Sequence, residues 1–178
     1  MNHSLSAPEP WVVRFAPLVP AGAPVLDLAC GAGRHARLFR ARGHPVTALD
    51  RDISGVRDLA DSEVIEADVE SGPWPLSERS FGGIVVANYL HRPLLPVLAA
   101  SLAQGGVLIY RTFAVGNERF GRPRNPDFLL RPGELLDAFR TFTVVAYEHG
   151  EVPGRAVIQQ ICVVNETAIP PRLPASVQ

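Results

Sequence analysis

Residues 25–50, VLDLACGAGRHARLFRARGHPVTALD, constrain the fold more than any other stretch. An apolar run over residues 25–29 contains one acid, Asp27, and stops at Gly31-Ala32-Gly33. Helical spacing restarts at Arg34, and a second apolar run over residues 46–49 ends in Asp50. Strand, glycine turn, helix and strand make a βαβ unit. In a parallel sheet this unit sets both strand ends and the helix N-terminus on one edge, where ligands bind at a topological switch point. Glycine in the turn lets a ligand approach the backbone, and N–H groups at the helix start favour electron-rich partners.

The glycines alone do not choose a ligand, because residues 31–36 also satisfy the dinucleotide pattern G-x-G-x-x-G/A. Asp27 makes the difference. A carboxylate inside an apolar strand costs several kcal/mol unless it is hydrogen-bonded or paired. It would repel a diphosphate and suit a cationic ligand, such as a sulfonium compound with a free ammonium group.

VLDLACGAG resembles the first motif of the class I S-adenosylmethionine-dependent methyltransferases, and ALD followed by RD resembles the second. The resemblance implies that Asp27 contacts the methionine end of the cofactor. The loop through Ala29, Gly31 and Gly33 would line its ribose and methionine portion, Asp50 would bind the ribose hydroxyls, and Arg51 would lie beside the adenine. Ala29 stands where the family most often has glycine, and Arg51 where an apolar residue is common. The Arg51 guanidinium stacks on adenine in one reading and is solvated in the other. Cys30 reads as a small buried residue, since no base for a reactive thiol stands near it.

Composition narrows the remaining classes. At 178 residues and 47% apolar the chain is the size of one domain with a buried core. That domain is expected over residues 1–165, with an N-terminal helical cap over 1–24 and a mobile, proline-rich tail over 166–178. A net charge of -1 with scattered arginines argues against a nucleic-acid partner. The sequence has no lysine, which excludes Schiff-base and lysine-nucleophile chemistry. Cys30 and Cys162 form no disulfide framework or metal-spaced cluster, so no metal is expected. No apolar run reaches the ~20 residues of a membrane span, and with no leader pattern the expected location is cytoplasmic. Oligomeric state is not legible.

Further along, residues 11–18 read as a helix with Trp11 and Phe15 on one face, either core residues or part of a lid. Residues 53–60 read as a short helix and 64–67 as a third strand, followed by Asp68. By the resemblance Asp68 accepts from the adenine amino group and Val69 offers its backbone; a turn cap is the other reading of Asp68. Trp74 lies in a proline-bracketed loop as buried support. Residues 83–87 form a fourth strand, after which the family places catalytic or substrate-facing groups. Asn88 would carry the cofactor's methionine portion, and Tyr89 or His91 would accept a proton from the nucleophile, with Arg92 facing substrate. His91 reads equally as a helix-start residue with no chemical role.

Residues 94–102 read as a helix ended by Gln104-Gly105-Gly106, and 107–110 as strand five. Residues 111–130 are polar and rich in glycine and proline, in the manner of a lid or binding loop. Phe113, Asn117, Glu118, Arg122 and Asn125 are its substrate-binding candidates, a solvated surface loop being the alternative. A helix over 132–139 and a closing antiparallel hairpin, 143–147 with 156–165, complete the chain. NYLHRPLLP and GNERFGRPRNPDFLL resemble a small bacterial branch near the tellurite-resistance type of methyltransferase. The resemblance implies an α/β, Rossmann-like, doubly wound and mostly parallel seven-stranded sheet. Its order would be 3-2-1-4-5-7-6, with the last strand antiparallel and helices on both faces. It implies an S-adenosylmethionine-dependent methyltransferase acting on a small-molecule acceptor. The alternatives are an NAD(P)-dependent oxidoreductase and a non-catalytic protein keeping the fold.

Overall fold

The computed structural model describes residues 6–59, 61–166 and 173–174. Seven strands form one sheet in the order β3-β2-β1-β4-β5-β7-β6. The strands are β1 (Val25–Leu28), β2 (Val46–Asp50), β3 (Glu63–Glu66), β4 (Phe81–Ala87), β5 (Leu102–Phe113), β6 (Thr143–Val152) and β7 (Ala156–Val164). Strands β3 through β5 in that order pair in parallel, while β7 is antiparallel to both β5 and β6. Parallel neighbours must be joined by crossovers, which puts helices on the sheet faces.

Two apolar layers result. On one face α3 (Leu95–Ala100) and α4 (Glu134–Ala138) pack Leu95, Leu98 and Leu135 against Leu26, Leu28, Ile84, Val86 and Leu108. On the other, α1 (Pro10–Phe15) and α2 (Arg34–Ala41) pack Trp11, Phe15, Ala36 and Phe39 against Val25, Val85, Val107 and Ile109. Alternation along each strand produces this division, because successive side chains point to opposite faces. Trp11 and Phe15 are buried with their rings 4.7 Å apart, and Trp11 Nε1 donates to the Ile161 carbonyl. They are core residues rather than part of a lid. Trp74 is half-buried against the first layer.

Several boundaries differ from the sequence reading. Residues 53–59 form successive turns, not a helix: Val56 N–H bonds the Ile53 carbonyl and Leu59 N–H bonds that of Val56, spacings of three rather than four. Gly55 sits in this segment, where an added Cβ would lie 2.9 Å from Ala32 Cα. Ala60, the last residue of the expected helix, lies outside the described residues. The helix before β5 is shorter than 94–102, because Leu102 already pairs with Phe81 in the sheet. Strand β5 also runs past Tyr110: Arg111, Thr112 and Phe113 pair with Gln160, Gln159 and Ile158 of β7. The polar run 111–130 thus starts inside the sheet. Strand β6 likewise extends to Val152. Of the expected tail, residues 167–172 and 175–178 lie outside the described residues.

Candidate functional site

The carboxyl ends of β1, β2, β3 and β4 surround a cavity of about 290 Å³, close to the lower end of the ~300–1,000 Å³ usual for small-molecule sites. Leu28 and Ala29 end β1, Leu49, Asp50 and Arg51 end β2, and Ala67, Asp68, Val69 and Glu70 follow β3. Tyr89 and Phe128 close it from the far side. A second cavity of about 180 Å³ adjoins it, sharing Glu70, Tyr89 and Phe128. Asn88, Leu90, Thr112, Phe113 and Pro123 complete its wall.

Asp50 holds the glycine turn as well as facing the larger cavity. Its carboxylate accepts from the Gly31 N–H at 2.8 Å and from the Asp52 N–H at 3.1 Å. Asp68 accepts from the Glu70 N–H and the Ser71 hydroxyl. The Ser71 hydroxyl, then the Glu70 N–H, holds its carboxyl below the usual range, so it is ionised at neutral pH. Asp68 is therefore both a turn cap and a cavity wall. Ala29 adopts φ 53°, and Asn88 adopts φ 58°, left-handed backbone that is uncommon outside glycine. Such conformations concentrate at functional sites.

Asp27 and Gly33 fall elsewhere than the sequence reading put them. Asp27 is 1% exposed and faces the start of α2, accepting from the Ala36 N–H at 2.8 Å, with His35 Nδ1 4.0 Å away. Burial raises its pKa to about 7, while burial, with Arg34 and Arg111, lowers that of His35 to about 4. A neutral His35 ring accepts from the Glu9 N–H at Nε2. Asp27 thus ties β1 to α2 beneath the turn and lines neither cavity. Gly33, at φ 73°, is a packing glycine: a Cβ there would meet Val56 Cγ1 at 2.5 Å. Gly31 has open space at that position instead. Burial, with the Asp27 and Asp50 charges, pushes the Cys30 thiol up to about 12, which keeps it protonated and inert.

Tyr89 borders both cavities. Its hydroxyl is buried without a hydrogen-bond partner among the described residues, and burial, with the nearby Glu70 carboxylate, raises its pKa above the ordinary phenol range. His91 lines neither cavity; it caps the 3-10 turn Arg92–Leu94, its carbonyl accepting from the Leu94 N–H. Arg92 is occupied by structure. Its Nε and Nη2 grip the Glu134 carboxylate at 2.6 and 3.0 Å, while Nη1 and Nη2 donate to the Asp127 and Leu129 carbonyls. Those carbonyls flank Phe128, so Arg92 fixes the ring that both cavities share.

The loop after β5 is pinned at its neck by a bridge between the buried residues Ala114 and Leu130. Inside it Asn117 is 1% exposed, donating to the Pro123 carbonyl and accepting from the Val157 N–H. It organises the loop from within rather than facing a ligand. Glu118 accepts from the Gly116 N–H and Asn125 from the Asp127 N–H, both as exposed turn residues. Arg122 is exposed and lines neither cavity. Of the six substrate-binding candidates only Phe113 reaches a cavity wall. Phe128, one of the aromatic residues of this loop, does reach both cavities, while the sequence reading missed Glu70 and Pro123.

An ionic cluster borders the far side of the glycine turn. Glu9 binds Arg34 at 2.9 Å and Arg111 at 3.4 Å, and Arg111 Nη1 donates to Asn88 Oδ1 at 2.7 Å. It fixes Asn88 between the turn and the smaller cavity. Among the described residues no helix is long and apolar enough to cross a membrane.

No protein-family model matches the sequence. Over 104 residues, 54% of the chain, it is 33% identical to the malonyl-[acyl-carrier protein] O-methyltransferase of Serratia marcescens, of which the match covers 40%. The chain thus spans less than half of that curated relative. Its structure superposes on TehB from Haemophilus influenzae with a TM-score of 0.75 at 16% identity, covering 91% of this chain and 64% of that one. It also superposes on the 1,6-didemethyltoxoflavin-N1-methyltransferase of Burkholderia thailandensis, solved with S-adenosylhomocysteine. There the TM-score is 0.64 at 20% identity, over 88% of this chain and 76% of that one. With its strand order, antiparallel β7 and motif-bearing glycine turn, the chain has the fold of the class I S-adenosylmethionine-dependent methyltransferases, TehB among its structural counterparts.

Proposed function

We propose that the chain is an S-adenosylmethionine-dependent methyltransferase acting on a small-molecule acceptor. The observation that carries this reading is the pair of adjoining cavities at the carboxyl edge of the sheet, one flanked by Asp50 and Asp68 and the other walled by Phe113, Pro123 and Phe128. The residues fit the cofactor. Asp50 would accept from the ribose hydroxyls, Asp68 and the Val69 backbone would meet the adenine edge, and Arg51 would cover one adenine face. Ala29, Gly31 and Asn88 would border the remainder. When bound, the cofactor supplies an activated methyl group on a positively charged sulfur. The protein's part is to hold an acceptor in line with that methyl and exclude water, which can supply much of the acceleration. Tyr89 lies at the junction of the cavities, where its ring would form part of the wall between cofactor and acceptor. Its raised pKa, caused first by burial, argues against a role as an ionised base.

The NAD(P)-dependent oxidoreductase reading meets a physical obstacle. A pyrophosphate uses N–H groups of the turn and helix start, and two of these are already committed, the Gly31 N–H to Asp50 and the Ala36 N–H to Asp27. A non-catalytic protein that keeps the fold would bind the cofactor without turnover. The deciding experiment is incubation with methyl-labelled S-adenosylmethionine and an acceptor library, read by mass spectrometry. Methylated product supports the reading; cofactor binding with no product from any library member favours the non-catalytic protein.

A further inference from the structure

Residues 7–9, remote from the cavities in sequence, are fastened to the start of α2 and to β5. The Arg34 guanidinium donates to the Ala7 carbonyl at 3.2 Å and to the Glu9 carboxylate at 2.9 Å, and the Glu9 N–H donates to His35 Nε2 at 3.1 Å. The second Glu9 carboxylate oxygen lies 3.4 Å from Arg111 Nε. Among the described residues Glu9 is the only carboxylate paired with either arginine, and all three side chains are no more than 20% exposed. Burial lowers the Arg111 pKa, the Glu9 charge raises it, and the Arg34 charge lowers it again. Without Glu9 two largely buried guanidinium groups would face each other uncompensated, which is costly.

Arg111 carries this pairing to Asn88. Its Nη1 donates to Asn88 Oδ1 at 2.7 Å, and its backbone carbonyl accepts from the Asn88 N–H at 2.9 Å. A guanidinium has donors only, so the amide oxygen must be the atom that faces it. Asn88 Nδ2 is left without a partner among the described residues, on a side chain that lines the smaller cavity from a left-handed backbone at φ 58°.

We propose that Glu9 is a positioning residue for the cofactor site: by pairing with Arg111 it keeps the Asn88 oxygen committed and the Asn88 Nδ2 donors free for the methionine portion of the cofactor. The proposal rests on the methyltransferase reading for the identity of the ligand, but not for the orientation of Asn88. Glu9→Gln removes the charge and keeps the backbone N–H that His35 accepts. Arg111, no longer paired, turns toward solvent and releases the amide. Two readouts on the full chain test this. The first is the pair of Asn88 side-chain amide resonances in ¹H–¹⁵N spectra of the free protein, assigned by their loss in Asn88→Gly, a substitution that suits φ 58°. They should move in Glu9→Gln. The second is calorimetry with S-adenosylhomocysteine in a double-mutant cycle. Glu9→Gln and Asn88→Gly should each weaken binding roughly three- to tenfold, the loss of about one hydrogen bond. The double variant should bind within about twofold of Asn88→Gly, because Glu9 acts through that side chain.

Unmoved Asn88 resonances in Glu9→Gln, parental affinity in either single variant, or additive losses in the double variant would each overturn the proposal. Lower stability of Glu9→Gln with parental affinity would make Glu9 a tether for α1 alone, and would overturn it too. Failure of S-adenosylhomocysteine to bind the parent would instead overturn the methyltransferase reading, leaving the Asn88 resonances to judge the positioning. Should Glu9→Gln fail to fold, Glu9→Asp, which withdraws the carboxylate from Arg111 by one methylene, should move the same resonances and weaken binding by a smaller factor. Parental shifts and affinity in that variant would count against it.

Discussion

Asp27 separates two accounts of the glycine turn. Its carboxyl is buried in β1, and desolvation lifts its pKa from 3.8 to about 7 despite the bond from the Ala36 N–H. Between those values the folded chain keeps a proton that the unfolded chain has lost. Unfolding free energy therefore falls by ~1.4 kcal/mol per pH unit as pH rises, reaching a full cost of about 4 kcal/mol above pH 7. His35 acts in the opposite sense. Its pKa is lowered from 6.5 to about 4, chiefly by burial, so stability is lost as pH falls below 6.5. The two slopes cancel between about pH 4 and 6.5, and a net decline remains from about 6.5 to just above 7. Asp27→Asn retains an oxygen for the Ala36 N–H and cannot ionise. Urea denaturation from pH 4 to 8.5 should find this variant more stable than the parent above pH 7, by up to about 4 kcal/mol. The advantage should vanish near pH 4, where the stability of the variant should also rise with pH as His35 loses its proton. If Asp27→Asn is destabilised equally at pH 4 and pH 8, Asp27 is ionised in the folded protein and the reasoning fails.

Other substitutions test the cavities and their supports. Asp50→Asn should weaken S-adenosylhomocysteine binding by about 1.5–3 kcal/mol, or roughly 10- to 150-fold by calorimetry, with the fold retained; unchanged affinity would reduce Asp50 to a tether for Gly31. Gly33→Ala should lose roughly 1–3 kcal/mol of stability in denaturant melts, because its Cβ would meet Val56 at 2.5 Å in a left-handed backbone, and a neutral effect would contradict the packing assignment. Arg92→Ala should leave S-adenosylhomocysteine affinity within a few-fold while speeding amide exchange at Phe128 and Leu129. Exchange no faster than in the parent would show that the Arg92 clamp does not hold the loop.

The βαβ core was legible because its signals are local: apolar runs, glycines and the terminal Asp50 lie within one window. The strand order followed from the resemblance rather than from any residue pattern. What escaped depends on partners distant in sequence. Arg111, Thr112 and Phe113 look like loop residues until β7 supplies their hydrogen bonds. Asn117 looks like a surface group until the Val157 N–H, 40 residues later, draws its oxygen inward. Arg92 looks like a substrate anchor until Glu134 folds back on it. Asp27 was the exception, since alternation along β1 puts it on the face opposite Leu26 and Leu28, toward α2. Its distance from the cavity could have been read from the strand itself. Glu70 had no such signal, because its place between the cavities depends on how the turn after β3 meets Tyr89 and Phe128.

The central claim is that Asp50, Asp68 and the glycine turn form a nucleoside site for a sulfonium cofactor rather than for a dinucleotide. Titration calorimetry of the full chain with S-adenosylhomocysteine and with NAD, under one buffer condition, tests it most directly. The account predicts one site for S-adenosylhomocysteine, weakened at least tenfold in Asp50→Asn, and NAD binding at least tenfold weaker than S-adenosylhomocysteine. NAD binding as tightly as S-adenosylhomocysteine, or S-adenosylhomocysteine giving no saturable heat, would contradict it.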